Sequence, residues 1–326
     1  MKLYLVGGTQ KPEAADLEEW HRYERAVIAE LDCETGRSRV AFEHRSSPDV
    51  LPADGGSVLF KAATRSGDLL YACTQTEVLV LSLPHFERVA WLSHERFNDV
   101  HHVRPRADGT LLVADTGLDC VLQLAADGTL LNEWSVLPPG EARAWSHDID
   151  YRKLATTKPH AAHPNYTFEV DGRVWATRFE QRDAVCVEDF SHRIAIDVER
   201  PHDGVLYDGE LYFTTVDGRV VVADPVQRRV VRAFDLNAIW RSELPLGWCR
   251  SVWVVARDEV LVGFSRIRLT RFKDNLRWAV NRARGRETRA LPTRVARVDL
   301  ARGALVGEWS VEDVGLNAIF SIHAAD

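Results

Sequence analysis

Histidines recur in this sequence at one kind of position, the start of a short apolar run that ends at a turn. Such starts hold the adjacent pair His101 and His102, and also His163, His202 and His323. Neutral imidazole nitrogens bind zinc, iron and similar divalent ions. If the run starts meet at one point of the fold, these histidines predict a divalent metal site.

The polar residues at these starts receive different predicted roles. The predicted metal ligands, in order of preference, are His101 and His202, then His163 or Asn165, then His323. Asp203 would orient a ligand or act as a base, and Arg250 would bind the anionic part of a substrate. The sequence therefore favours a metal-dependent site for a small, anionic molecule.

A histidine in such a position can instead hydrogen-bond a neighbouring backbone group inside the core. His101 and His102 are adjacent, and successive side chains of a strand point to opposite faces, so at least one of the two is structural. His102 is kept as a candidate substrate contact, and the structural alternative stays open for each histidine.

A second candidate base is His147, in the segment Ser-His-Asp-Ile-Asp at 146–150. Ser and Asp side chains commonly bond to nearby backbone groups, so Asp148 and Asp150 are expected to cap or fix this loop. The segment shows no nucleophile elbow and no Ser/His/Asp arrangement.

Segment 265–294 is strongly basic, with ten Lys and Arg residues against Asp274 and Glu287. The segment carries +8, and since the whole chain carries −7, the remainder carries −15. Such a patch attracts phosphate or carboxylate groups, or serves as a solvated face or an internal partner for acids. Arg277 is the substrate-binding candidate within it.

The elements that would position these residues are clearest in segment 97–136. Turn signals divide it into four predicted strands, Val100–Arg104, Thr110–Asp115, Cys120–Leu124 and Leu130–Val136. Parts of this pattern recur, since Leu69–Thr74 precedes its counterpart Leu111–Thr116 by 42 residues and Glu-Trp-Ser-Val occurs at 133 and 308. Four-stranded repeats of this length predict an all-β fold, a six-bladed β-propeller.

The first predicted blade lacks an inner strand, which the C-terminal segment Asn317–His323 would supply to close the ring. The long insertions 8–25, 44–56, 137–162, 237–248 and 265–293 all fall in connections of one face. We therefore expect a lid over one mouth of the channel, with helices in Pro12–Arg25 and Phe272–Arg284.

The run Gly-Thr-Leu-Leu-Val-Ala-Asp-Thr-Gly at 109–117, followed by Asp119-Cys120-Val121, resembles the NHL repeat. Where that repeat commonly has Asn-Arg-Val, this chain has Asp-Cys-Val. The resemblance implies a six-bladed propeller, similar also to the gluconolactonase and strictosidine-synthase group. NHL-like lyases that cleave peptidyl-α-hydroxyglycine are similar in holding one metal on histidines of different blades.

Composition limits the remaining possibilities. Residues 1–326 are expected to form one domain, since 45% apolar and 27% charged residues are ordinary for a globular protein. No signal peptide or membrane span is predicted at the N-terminus, and five scattered cysteines indicate a cytoplasmic protein. The net charge argues against nucleic acid as a partner. The sequence thus predicts a metal-dependent lyase or hydrolase for a small-molecule substrate, or alternatively a non-enzymatic propeller that binds a protein or ligand.

Overall fold

The computed structural model describes residues 1–14, 17–267 and 291–325, which form mainly β-strands. The strands of the first half are β1 (Lys2–Gln10), β2 (Tyr23–Asp32), β3 (Ser38–His44), β4 (Ala62–Ser66), β5 (Leu69–Cys73), β6 (Val78–Ser82), β7 (Glu87–Leu92), β8 (Val100–Pro105), β9 (Leu111–Asp115), β10 (Cys120–Leu124), β11 (Leu130–Ser135) and β12 (Pro164–Val170). Those of the second half are β13 (Arg173–Arg178), β14 (Asp183–Cys186), β15 (Arg193–Ala195), β16 (Pro201–Tyr207), β17 (Glu210–Thr215), β18 (Arg219–Asp224), β19 (Arg229–Asp235), β20 (Trp248–Ala256), β21 (Glu259–Ser265), β22 (Arg294–Asp299), β23 (Ala304–Ser310) and β24 (Ala318–Ala324).

Helices in the described residues are short. The α-helix is α1 (Leu236–Trp240), and the 3-10 helices are Glu19–His21, Pro48–Val50, Tyr151–Lys153 and Glu312–Val314. No helix within the described ranges is long and apolar enough to cross a membrane.

The strands of the described residues form five sheets. Four sheets have four strands each, in the orders β24-β1-β2-β3, β4-β5-β6-β7, β8-β9-β10-β11 and β20-β21-β22-β23. The fifth has eight strands in the order β12-β13-β14-β15-β19-β18-β17-β16, and its two halves meet through one parallel residue pair, Ala195 with Arg229. Neighbouring strands are otherwise antiparallel.

Burial changes regularly across each four-stranded unit. In the sheet of segment 97–136, every residue of β9 is buried, whereas the outer strand β11 has no buried residue. Gly109 and Gly128 have φ angles of 82° and 91° at the two Ala-Asp-Gly turns, a conformation that glycine adopts at little cost. The inner strands therefore carry the core, and the outer strand faces solvent.

The apolar clusters lie between neighbouring sheets. In one of them, Tyr212 of β17 and Val220 of β18 pack with Cys249 of β20 and Val262 of β21. Cys33 is half-buried, the other four cysteines are buried, and none forms a disulfide. The first strands in the sheet orders also contact one another, β24 with β4, β4 with β8, β8 with β12, β12 with β16, β16 with β20 and β20 with β24.

The C-terminal strand completes the first sheet, as predicted. β24 pairs antiparallel with β1, from Leu3 opposite Ala324 to Gly8 opposite Ala318. Most of β24 is buried, with Ile319 0% and Phe320 1% exposed. The two ends of the chain are thus joined by a strand pair inside the core.

The first insertion differs from its prediction. The sequence predicted a helix at Pro12–Arg25, but β1 extends to Gln10, β2 begins at Tyr23, and a 3-10 helix at Glu19–His21 lies between them among the described residues. The N–H of Lys11 donates to the carbonyl of Arg22, so the β1–β2 hairpin continues and uses backbone groups that a helix would need. The helix predicted at 272–284, together with Arg277, lies outside the described residues.

Candidate functional site

A cavity of about 600 Å³ opens beside the starts of several inner strands. Four imidazoles line it, those of His101, His160, His163 and His202. Three of them were predicted as metal ligands from the sequence, whereas His160 was not. The fold therefore brings together histidines that are up to about 100 residues apart in the chain.

His101 lies at the inner part of this cavity and is 5% exposed. Its Nδ1 is 2.7 Å from the backbone carbonyl oxygen of Asp99, which can only accept, so Nδ1 carries the proton and Nε2 keeps its lone pair. Burial, together with the nearby charge of Lys61, lowers the pKa of His101 to about 3. His101 is therefore a neutral imidazole with one nitrogen available as an acceptor or metal ligand.

His160 and His163 form a close imidazole pair. Their Nδ1 atoms are 3.3 Å apart, and the His163 ring also lies edge-on to His101, with ring centroids 4.9 Å apart. Burial lowers the pKa of both His160 and His163. Since two facing lone pairs repel, this contact needs either a shared proton or a cation between the nitrogens.

A buried ion pair lies next to the imidazoles. The Lys61 ammonium is 3.0 Å from Oδ1 of Asp99, and both side chains are largely buried. Although burial alone would raise the pKa of Asp99, the positive charge of Lys61 holds it well below its ordinary value. The pair places a fixed positive charge and a fixed carboxylate at the wall of the cavity.

Phe320 lies beneath the cationic side of the cavity. The Lys61 ammonium lies 5.9 Å from the centre of this ring and the Arg250 guanidinium 5.2 Å, and Arg250 also lies 4.9 Å from the ring of Trp248. Cations at these distances are attracted to the ring faces. The closing strand thus helps to hold two cationic side chains that line the cavity, and Arg250 lies where the sequence predicted an anion contact.

Two of the long insertions meet at the mouth. Lys158, from insertion 137–162, forms an ion pair of 2.7 Å with Glu19 from insertion 8–25, and its ammonium lies 5.9 Å from the ring of Trp20. Another acid of the lining, Glu180, is 3.5 Å from Arg200. These ion pairs neutralise two of the acids around the cavity.

His202 lines the cavity and contacts Asp203, which does not. Nδ1 of His202 lies 3.4 Å from Oδ1 of Asp203, whose Oδ2 accepts a hydrogen bond of 2.5 Å from the Thr214 hydroxyl. Burial raises the pKa of Asp203. Because Asp203 does not line the cavity and contacts His202, its position agrees with the predicted role of orienting a ligand rather than with that of a base.

The structure places His102 away from the cavity, in a structural position. It is fully buried, its Nε2 is 3.0 Å from the Thr64 hydroxyl, and its Nδ1 accepts from the backbone N–H of Thr167. Its ring stacks on Tyr166. Since both nitrogens have partners inside the core, the position of His102 agrees with the structural alternative and does not support the predicted substrate contact.

Asn165 and His323 are also buried outside the cavity lining. The Asn165 amide donates to the carbonyl of Pro201 at 2.8 Å, and His323 Nε2 lies 3.2 Å from the Ser321 hydroxyl. Burial lowers the pKa of His323 to about 4. Asn165 in β12 and His323 in β24 do not line the cavity that contains the four imidazoles. Their position therefore does not support the predicted role as ligands.

His147 is exposed in the loop between β11 and β12 and does not line the cavity. The backbone N–H of Asp148 donates to Ser146, and Asp150 caps the 3-10 helix at Tyr151–Lys153. The local-bonding alternative for these aspartates is confirmed. Because His147 does not line the cavity, its position does not support the predicted role of a base at this site.

Sequence reasoning missed three groups of this site. His160 precedes His163 by three residues, a spacing that is visible in the sequence as His-Ala-Ala-His. Asp99 stands two residues before His101, with a φ angle of 53° that directs it out of the strand path. Lys61 follows an apolar run at a predicted strand start, and nothing else in the sequence marked it as a functional residue.

Comparisons with solved structures bear on the fold. A protein of unknown function from Bacteroides caccae superposes with a TM-score of 0.62 at 14% identity, covering 98% of this chain and 97% of that one. A chain of a nidogen/laminin complex gives 0.58 at 11%, covering 99% and 97%. The WD40 β-propeller domain of Doa1 gives 0.50 at 11%, covering 98% and 89%. The fold is a β-propeller. No family model and no curated protein matches this chain.

The metal prediction can be compared with the donor geometry. Among the residues that the structure describes, no group of three or more His, Cys, Asp or Glu side chains is placed to hold a metal ion. The His160 and His163 nitrogens are nevertheless 3.3 Å apart, and two nitrogens on one tetrahedral ion, each roughly 2.0–2.1 Å from it, lie about 3.3 Å apart. The placement therefore matches the nitrogen separation of two ligands, and the His101 ring lies beside His163 with the ring centroids 4.9 Å apart.

Proposed function

We propose that this protein is a metal-dependent lyase or hydrolase that acts on a small, anionic molecule in the cavity of the propeller. The observation that carries the proposal is the meeting of His101, His160 and His163 beside the Lys61–Asp99 pair in one cavity of about 600 Å³. Cavities of this size, with a few convergent polar groups, are typical of small-molecule sites.

The three imidazoles would hold the metal. A bound divalent ion would polarise a substrate oxygen or lower the pKa of a water molecule. The protein's own contribution is the neutral state of the ligands, since burial lowers the pKa of His101, His160 and His163. The backbone carbonyl of Asp99 accepts a hydrogen bond from Nδ1–H of His101. This bond leaves Nε2 of His101 for the metal.

The anionic ligand of this proposal would be bound by cationic side chains of the cavity. Glu19 and Glu180 at the mouth have cationic partners in Lys158 and Arg200. Lys61, which is paired with Asp99, and Arg250 line the same cavity near Phe320. An anionic group would therefore be bound on the side of Phe320, and the neutral imidazoles would contact its reacting end.

The proposed site includes a ring of six blades. The eight-stranded sheet divides into β12–β15 and β16–β19, each of four antiparallel strands, and their outer strands share one residue pair. We take each half as a blade, which with the other four sheets gives six. His163 and His202 then belong to neighbouring blades that face one axis.

Metal analysis of the purified protein tests the proposal. We expect one zinc, iron or similar ion per chain, removed by a chelator and restored on addition of metal. His163→Ala and His101→Ala should lose most of this metal, whereas His192→Ala, a half-buried histidine outside the cavity lining, should keep it. A protein that stays metal-free after incubation with zinc, iron and cobalt would refute the metal-dependent function.

A non-enzymatic binding role is the second candidate. Two observations favour it, the lack of a formed three-ligand group among the described residues and the half-buried rings of Trp20, Phe179 and Trp248 at the cavity. Such rings provide contact area for a ligand or peptide. A metal-free protein whose affinity for a bound molecule falls on Trp248→Ala, and is unchanged by His163→Ala, would support this role.

A further inference from the structure

The carboxylate of Asp119 holds the loop that precedes β12. Asp119 is 6% exposed, and its Oδ1 accepts the backbone N–H groups of Ala162 at 2.9 Å and His163 at 2.8 Å. Its Oδ2 accepts the N–H of Ala161 at 2.8 Å. One buried carboxylate thus binds three successive backbone donors, an arrangement that fixes the path of the chain through residues 161–163.

This fixed path is needed because the local backbone is strained. His163 has a φ angle of 55°, in the left-handed region that non-glycine residues seldom adopt. Such conformations persist where surrounding contacts determine them. The bonds to Asp119 come from the two residues before His163 and from its own N–H, so they are contacts that offset the strain.

The loop also fixes the proton positions on His160. The Thr157 hydroxyl is 2.6 Å from the carbonyl of Gly117 and donates to it, so Nε2 of His160, 3.4 Å from the same hydroxyl, is the donor in their contact. Nδ1 of His160 then has a lone pair, and it faces Nδ1 of His163 at 3.3 Å. The pair can share one proton or bind one cation.

We propose that Asp119 is a positioning residue for this imidazole pair. By binding three backbone donors, it holds His163 in its left-handed conformation and directs its Nδ1 at that of His160. Asp119 itself does not line the cavity. The part of this inference that concerns a metal rests on the proposed function, whereas the shared proton of the metal-free pair does not.

The test compares Asp119→Ala and Asp119→Asn with a matched control, Asp127→Ala. Asp127 also accepts a backbone N–H, that of Thr129 at 2.9 Å, but it lies in an exposed turn. Zinc affinity is measured by calorimetry, and the ring-nitrogen chemical shifts of His160 and His163 are measured by NMR in the metal-free protein. His160→Gln and His163→Gln assign the two sets of signals.

We expect Asp119→Ala to weaken zinc binding about tenfold or more and to shift both sets of ring-nitrogen signals. Asp119→Asn should give a smaller effect, because an amide keeps one acceptor oxygen and turns an N–H₂ group toward a backbone donor. Asp127→Ala should match the wild type in both measurements. If Asp119→Ala does not fold, Asp119→Asn decides the question by the same two measurements.

A folded variant at Asp119 with unchanged ring-nitrogen signals would overturn the proposal, whatever its zinc affinity. Shifted signals in the Asp119 variant, together with a wild-type protein that stays metal-free with zinc, iron and cobalt, would refute the metal-dependent function and leave the positioning role standing. Unchanged signals in the variant, together with normal zinc binding that depends on His163, would refute the positioning role and leave the metal-dependent function standing. The two proposals therefore fail separately.

Discussion

Substituting Gly7 by alanine should open the strand pair that joins the two chain ends. A Cβ atom at Gly7 would lie 1.8 Å from the carbonyl oxygen of Ala318 and 2.8 Å from its carbonyl carbon. Both neighbouring atoms belong to the backbone of β24, so no side-chain rotation relieves the overlap. The pairing register shifts between Val6 and Gly7, and this irregularity brings the two backbones together at a residue without a side chain.

The size of the effect follows from the separation that the new atom requires. Carbon and oxygen atoms of neighbouring strands approach to about 3.3 Å, so β24 must move by about 1.5 Å at this point, enough to break hydrogen bonds of ordinary length. Ile319 and Phe320 are fully buried beside it. At about 1.5–3 kcal/mol for each such side chain, their loss would lower the free energy of unfolding by about 3–6 kcal/mol.

The assay is denaturation by urea, followed by tryptophan fluorescence. The control is Gly56→Ala, where a Cβ would meet nothing closer than 3.3 Å. We expect the control to unfold near the wild-type midpoint and Gly7→Ala to unfold at a much lower urea concentration. A Gly7→Ala protein within about 1 kcal/mol of the wild type would show that β24 does not hold the first sheet as described.

Three further predictions concern stability. Deleting residues 317–326 should prevent folding, because it removes β24 and exposes an edge of β1; a truncated protein that melts at the full-length temperature would contradict the closure. Burial lowers the pKa of His323 from 6.5 to about 4, so on acidification the unfolded chain binds this proton before the folded protein does. The free energy of unfolding should therefore fall by about 3 kcal/mol as the pH decreases from 6.5 toward 4. His323→Asn should flatten this decline in urea midpoints measured between pH 7 and 4.5, and an equal decline in both proteins would exclude His323 as its source. Glu77 is 1% exposed and accepts hydrogen bonds from His44 and Trp91, so Glu77→Ala should lower the free energy of unfolding by about 3–5 kcal/mol. Glu34→Ala changes an 82% exposed side chain and should lower it by less than about 1 kcal/mol. Equal melting temperatures of the two variants would refute this difference.

The strands were largely predictable from the sequence, because their signals are local. Cys120–Leu124 was predicted with the bounds that the structure shows, and Val100–Arg104 differs from β8 by one residue. In both cases an apolar run is bounded by Ala-Asp-Gly or Asp-Thr-Gly turns, and such turn chemistry depends on a few adjacent residues. The pairing of the chain ends was predictable for a related reason, since the first unit lacked one strand.

The insertions and the site were predictable only in part, because long-range contacts determine them. The acidic segment from Pro12 has the composition of a helix start, yet the Lys11–Arg22 bond continues the β1–β2 ladder at its base and the backbone bonds within its described residues are those of turns. His101, His163 and His202 were correctly placed at one cavity, because they stand at strand starts. His160, Lys61 and Asp99 depend on loop paths and on neighbouring strands, which no local pattern reports.

The joining of β1 and β24 also determines the order in which the protein is completed during synthesis. Strands β1, β2 and β3 leave the ribosome before the strands of the other sheets, but their sheet lacks its inner strand until β24 has also been released. Until then an edge of β1 stays open, and open edges pair readily with other strands. Among the five sheets of the described residues, this one is therefore begun before the others and completed after them, and its open edge needs protection from a neighbouring copy for the longest time.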